Sequence, residues 1–100
     1  MPFANPLSLA DHFKKHRNEF TATTAADYEA LADAFLSKPA AATLLTGTRK
    51  NGQRIKFDTV TNELCVTNRH GEILTYYKPT PRQVTGKGGG AGYFQYECGR

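Results

Sequence analysis

The first third of the chain carries apolar residues at the spacing of an α-helix. Ser8 is a suitable N-cap residue, and Asp11 follows three positions later, as in a capping box. A helix that begins here places four residues, spaced four, three and four apart, on one face: Leu9, Phe13, His16 and Phe20. The pattern predicts a first amphipathic helix whose apolar face includes His16.

A second helical pattern follows the polar segment 21–24. Thr24 stands in the position of its N-cap, with Asp27 three residues later. Its apolar face consists of Tyr28, Leu31, Ala32, Phe35 and Leu36. Pro39 is expected to stop the helix, because proline lacks the amide proton that a helix needs.

From residue 43 onward the pattern changes to short alternating runs separated by turns. Asn51-Gly52 is a strong hairpin signal, because both residues tolerate the positive φ of the tight turn. The predicted strands cover residues 43–49, 54–58, 63–67, 72–78 and, after a mobile glycine-rich loop at 86–92, residues 93–98. The expected fold is a single α+β domain over residues 1–100, with two N-terminal helices packed on a twisted antiparallel sheet of four to five strands.

Alternation along the strand 72–78 sorts its side chains between the two sheet faces. One face is expected to carry Ile73, Thr75 and Tyr77, and the other Leu74, Tyr76 and Lys78. A hydroxyl and a phenol two residues apart can hold a phosphate and stack a base. The same run also fits an ordinary strand rich in β-branched and aromatic residues.

The charge balance favours a polyanionic partner. Thirteen Lys and Arg against nine Asp and Glu give a formal net charge of +4, which suits nucleic acid, an acidic protein or an anionic membrane. No apolar run approaches the roughly 20 residues of a membrane helix, and the first residues do not resemble a signal peptide. Cys65 and Cys98 are expected to be unpaired thiols.

RNA carries its own nucleophile, the 2′-hydroxyl, so metal-free cleavage needs a proton acceptor, a proton donor and groups that stabilise the charged phosphorane. Histidine suits the proton transfers, and the densest basic run contains two histidines: His12, Lys14, Lys15, His16 and Arg17. His12 and His16 are also four residues apart, as zinc ligands can be, but only His70 remains as a third histidine. No metal or cofactor is predicted, and an ordinary helix histidine beside a solvated basic face remains an alternative.

A second basic patch surrounds the Asn51-Gly52 turn and consists of Arg49, Lys50, Arg54 and Lys56. Arg54 and Lys56 share a strand face and can form a basic rim, although charged runs are usually just solvated. The glycine-rich loop lacks the spacing and the hydroxyl residue of a P-loop.

Three segments together resemble a known family: "HFKKHRNEF", "DYEALADAFL" and "RIKFDTVTNELCVTNRHGEILTYYKP". They are similar to small ribonucleases of the barnase, EndoU, colicin and RelE-like group. The tRNA-cleaving toxin domains of colicin D and of contact-dependent growth inhibition proteins are the nearest likeness. It covers residues 12–79, roughly two thirds of the chain.

The resemblance implies a catalytic set of Lys15, His16, Thr75 and Tyr77. His16 would be the general base or acid, and Lys15 a cation beside the phosphate. Colicin D has Ser and Trp where this chain has Thr75 and Tyr77, and it has Lys in place of Phe13. The remaining RNA contacts are expected from His12, Lys14, Arg49, Arg54, Lys56 and Lys78.

The resemblance also implies a biological setting. The expected protein is the C-terminal piece of a larger delivered toxin, which cleaves tRNA in the cytoplasm of a target bacterium through a 2′,3′-cyclic phosphate. A cognate immunity protein would block its site, and a host protein factor is a further possible partner. Two alternatives stay open: a non-catalytic RNA-binding or translation-interacting module, and an ADP-ribosylating enzyme using Glu72 or Glu97.

Overall fold

The computed structural model describes residues 3–99. It contains four α-helices and four strands in that part of the chain: α1 Pro6–His16, α2 Ala25–Leu36, β1 Leu44–Thr48, β2 Arg54–Asp58, β3 Leu64–Thr67, β4 Ile73–Tyr77, α3 Pro81–Gly86 and α4 Gly90–Cys98, with a 3-10 helix at Arg17–Glu19. The strands form one antiparallel sheet in the order β1-β2-β3-β4. The α+β prediction is confirmed.

The first helix begins earlier than its sequence pattern predicted. Asn5, not Ser8, is the N-cap, and its side chain accepts a hydrogen bond from the Ser8 amide at 2.7 Å. Pro6 occupies the first helical turn, where no amide donor is required. The helix ends at His16 and continues as the 3-10 turn, so Phe20 lies beyond it.

The second helix agrees with its prediction. The Thr24 side chain accepts a hydrogen bond from the Asp27 amide at 3.1 Å, and the helix ends at Leu36, before Pro39. Its buried residues belong to the first of two hydrophobic clusters: Phe3, Ala22, Tyr28, Ala32, Phe35, Cys65, Ile73 and Tyr76. This cluster holds α2 on one face of the sheet, hereafter the α2 face.

The segment predicted as a fifth strand is a helix. Residues Tyr93 and Phe94 of α4 pack on the opposite face of the sheet, hereafter the α4 face. The second hydrophobic cluster lies there and consists of Ile55, Phe57, Leu64, Val66, Tyr93 and Phe94. The loop expected at 86–92 is correspondingly shorter, because α3 extends to Gly86 and α4 begins at Gly90.

A register shift corrects the predicted faces of β4. The register of β3 and β4 shifts by one residue: Val66 is the partner of Thr75, but the next residue, Thr67, is the partner of Ile73. Leu74 is therefore an extra residue, as in a β-bulge, and the strict alternation fails there. Ile73 packs in the first cluster with Tyr76, and Leu74 packs against the second cluster with Tyr77. The predictions that Ile73 shares a face with Tyr77, and Leu74 with Tyr76, are therefore wrong.

Two further features complete the fold. Cys65 and Cys98 are both free thiols. Among residues 3–99, every helix is too short or too polar to cross a bilayer.

Candidate active site

Helix α1 presents two neighbouring rows of side chains to the rest of the protein. Leu9 and Phe13 pack against the first hydrophobic cluster. His12 and His16, one turn apart, instead reach β4, the edge strand of the sheet. The two histidines therefore lie together beside the strand that was expected to carry the site.

His16 is held by a carboxylate that the sequence had not singled out. Its Nδ1 lies 2.6 Å from Oε2 of Glu19, in the 3-10 turn. Because a carboxylate can only accept, the proton of this bond resides on Nδ1 of His16. The other ring nitrogen, Nε2, is then the one suited to exchange a proton with a ligand.

The same carboxylate also fixes β4. Oε1 of Glu19 accepts a hydrogen bond from the backbone amide of Lys78 at 2.7 Å. One side chain thus ties the end of α1 to the end of the edge strand. An acidic residue three positions after a histidine, on the same helical path, was the sequence signal for this contact.

His12 contacts Thr75 directly. Its Nδ1 lies 3.2 Å from the Thr75 hydroxyl oxygen, and its ring packs 6.0 Å from that of Phe3. The His12 and His16 rings are nearly parallel, with centroids 5.8 Å apart. Partial burial, and then the neighbouring His16 charge, lower the pKa of His12 below its ordinary value of 6.5.

Replacing His16 by glutamine is expected to raise the pKa of His12, because the repulsion between two adjacent imidazolium charges disappears. NMR titration of the His12 ring protons measures this directly. Lys15→Gln should shift the pKa of His12 in the same direction by less, since the Lys15 charge lowers that pKa less than burial and His16 do. His70→Gln should leave it unchanged. A His12 pKa that falls in His16→Gln would contradict the assigned coupling.

Tyr77 joins the cluster through its ring. The ring centroid lies 5.6 Å from that of His16. The hydroxyl points the other way, toward α4, where it lies 2.6 Å from the Tyr93 hydroxyl and 3.4 Å from Oε1 of Glu97. Burial and the hydrogen bond with Tyr93 raise the pKa of Tyr77, so the phenol keeps its proton.

The structure brings together His16, Thr75 and Tyr77 from the predicted catalytic set, and with them His12, which was predicted only as an RNA contact. Lys15 is exposed and pairs with Asp11 at 3.1 Å on the helix surface, and Lys14 is exposed as well. The Lys78 ammonium lies over the Phe20 ring, 5.3 Å from its centroid.

The residues of the second basic patch lie elsewhere. Arg49 donates to the backbone oxygen and the carboxylate of Glu97 at 2.8 and 3.2 Å, which anchors α4 to the end of β1. The Lys56 ammonium donates to the carbonyl oxygens of Leu36 and Lys38, at the end of α2. Arg54 is exposed on β2.

Within residues 3–99, no three His, Cys, Asp or Glu residues are grouped so that they could hold a metal ion. No protein-family model and no curated protein matches the chain.

Proposed function

We propose that this protein is a metal-independent endoribonuclease toxin that cleaves tRNA by attack of a 2′-hydroxyl on the adjacent phosphate. The observation that carries the proposal is the convergence of two imidazoles, His12 and His16, with the Thr75 hydroxyl and the Tyr77 ring on one edge strand. Cleavage of this kind requires two proton transfers, and two histidines side by side can perform both.

His12 is proposed as the general base. A base must be unprotonated when substrate binds, and the lowered pKa of His12 keeps its ring neutral at neutral pH. The Thr75 hydroxyl, 3.2 Å from Nδ1, fixes the orientation of the ring. Nε2 would then accept the proton of the attacking 2′-hydroxyl.

His16 is proposed as the general acid. It would donate the Nε2 proton to the departing 5′-oxygen, which leaves as a hydroxyl while the phosphorus closes the 2′,3′-cyclic ester. The Glu19 carboxylate bonded to Nδ1 keeps the ring in one orientation through this transfer. Glu19 is a positioning residue in this scheme.

Lys15 and Lys78 are the proposed cations for the phosphorane. The exposed pair of Lys15 with Asp11 is worth at most about 1 kcal/mol, so a phosphate can displace the carboxylate. Lys78 directly follows β4 and is bound through its own amide to Glu19. The face of Tyr77, beside His16, would stack a base next to the scissile bond.

The choice of tRNA and of a toxin role comes from the resemblance of residues 12–79 to toxin ribonucleases. An anticodon loop offers unstacked, accessible nucleotides, and the net charge of +4 favours the RNA backbone. In that role the domain would be carried by a larger delivered protein into the target cell. An acidic immunity protein would cover the site, and a host protein factor is a further partner to be tested with cell extract.

Incubation of the protein with total bacterial tRNA in EDTA tests the proposal. The expected products are discrete tRNA fragments, the 5′ fragment ending in a 2′,3′-cyclic phosphate and the 3′ fragment beginning with a 5′-hydroxyl. Phosphatase resistance and mass spectrometry identify these ends. Intact tRNA, both alone and with added cell extract, would overturn the proposal and favour an RNA-binding module instead.

A further inference from the structure

A second surface with basic side chains lies on the α2 face of the sheet, beyond the end of α2. It is a groove of about 570 Å³. Its lining includes Leu36, Ile55 and two glycines, and the other six residues come from three adjacent strands: Thr46, Thr48, Arg54, Lys56, Cys65 and Thr67. We call this surface the sheet groove.

The strand register arranges these six residues in two rows across the sheet. One row is Thr46, Lys56 and Cys65, and the other is Thr48, Arg54 and Thr67. Neighbouring strands are about 4.8 Å apart, so each row spans about 10 Å and has a cation at its centre. A hydroxyl flanks each cation, and the row of Arg54 has hydroxyls on both sides.

The chemistry of the sheet groove fits an anion. Within the described residues 3–99, its lining contains no carboxylate, and the Cys65 thiol stays neutral because burial raises its pKa to about 12. Lys56 is oriented by two carbonyl oxygens at 3.0 and 2.9 Å, at the end of α2. The Arg54 guanidinium has no hydrogen-bond or ion-pair partner within residues 3–99, so its fork of donors is open to a ligand.

None of the described residues that line the groove is aromatic, and this bears on the type of anion that it would bind. Recognition of single-stranded RNA usually depends on base stacking, for which the sheet groove offers no ring. Hydroxyl and guanidinium donors suit phosphodiester oxygens instead. Paired RNA presents such a backbone continuously.

We propose that the sheet groove binds the phosphodiester backbone of a base-paired RNA stem, separately from the histidine cluster. Thr75 and Tyr77 follow Val66 and Leu64 in register, on the α4 face, whereas the groove residues lie on the α2 face. The identification of the ligand as RNA rests on the proposed function. The chemistry of the groove indicates which part of the RNA is bound. Affinity and cleavage would therefore be carried by different residues.

The test is a titration of the ¹⁵N-labelled protein with a fully 2′-O-methylated RNA hairpin, which cannot be cleaved by 2′-hydroxyl attack. Amide shifts are expected at Thr48, Arg54 and Thr67. Arg54→Gln should weaken binding about tenfold, the loss of one charge-assisted contact. It should also lower the dependence of log K on log salt by about one.

The control is Arg82→Gln, which removes the same charge from the exposed surface of α3. Equal loss of affinity in both variants would overturn the proposal in favour of diffuse electrostatic attraction. Stronger binding of a single-stranded 2′-O-methyl RNA, or groove shifts with AMP or inorganic phosphate but not with the hairpin, would also overturn it. Because the hairpin is not cleaved, groove binding can be established even if unmodified tRNA remains intact, which would count against the proposed function alone.

Discussion

Replacing His16 by glutamine is expected to reduce tRNA cleavage by about 10²- to 10⁴-fold, the usual contribution of a general acid or base. Glutamine keeps an uncharged polar side chain at this half-buried position, so the fold should persist. His12→Gln is expected to cause a loss in the same range. The double variant should lose little more than either single variant, because the proposed mechanism uses both histidines in one concerted reaction. Initial rates on a single purified tRNA give all three numbers.

His70→Gln is the matched control, since His70 is an exposed histidine in the turn before β4. It should cleave at the rate of the unmodified protein. The pH profile distinguishes the two roles. A base of lowered pKa retains activity below pH 6.5 and loses it as the pH falls through that pKa, so the acidic limb should disappear in His12→Gln. Cleavage within a few-fold of normal in His16→Gln would place the catalytic centre elsewhere.

Local signals were sufficient for most of the fold. Thr24 and Pro39 bracket α2, and Asn51-Gly52 forms the turn between β1 and β2, where Gly52 has φ 88°. In each case the residue type provides the required backbone geometry or hydrogen bond without help from distant residues. Asn5-Pro6 is also a sequence signal for the start of α1, because Asn is a good N-cap and Pro suits the first helical turn. The Ser8 and Asp11 pair resembles a capping box and indicated a later start.

Helix α4 could not be recognised locally because its stability comes from distant contacts. It begins after Gly88 and Gly89, whose φ values of 89° and 92° suit a turn, and glycine-rich sequence disfavours helix. The helix forms because Tyr93 and Phe94 cover the α4 face of the sheet. It approaches the sheet so closely that a Cβ on Gly47 would lie 2.8 Å from the Cys98 sulphur.

The candidate site was predictable only where local periodicity places its residues together. Residues 12 and 16 share a helix face, and residues 75 and 77 share a strand face because the strand alternates regularly between them. Simple periodicity therefore brings each pair together. The bulge at Leu74 lies just before Thr75 and left that pair intact. Glu19, Tyr93 and Glu97 were missed as partners because their contacts depend on how the helices dock onto β4.

Arg49 is a basic residue of the predicted RNA-binding set whose side chain forms a structural ion pair instead. Its guanidinium and the Glu97 carboxylate are 3.2 Å apart, and their side chains are only 14% and 5% exposed. Arg49→Met is expected to lower the free energy of unfolding by about 3–5 kcal/mol, because the buried Glu97 carboxylate would lose the guanidinium that compensates its charge. Urea unfolding followed by circular dichroism measures the change.

The control is Lys15→Met, which breaks the exposed pair with Asp11 and should cost less than about 1 kcal/mol. The double variant Arg49→Met with Glu97→Leu should be more stable than Arg49→Met alone, since the buried carboxylate is removed together with its Arg49 partner. If Arg49→Met is as stable as Lys15→Met, the pair does not anchor α4. A loss of RNA affinity in that stable variant would then return Arg49 to the RNA-binding surface, as its sequence position had suggested.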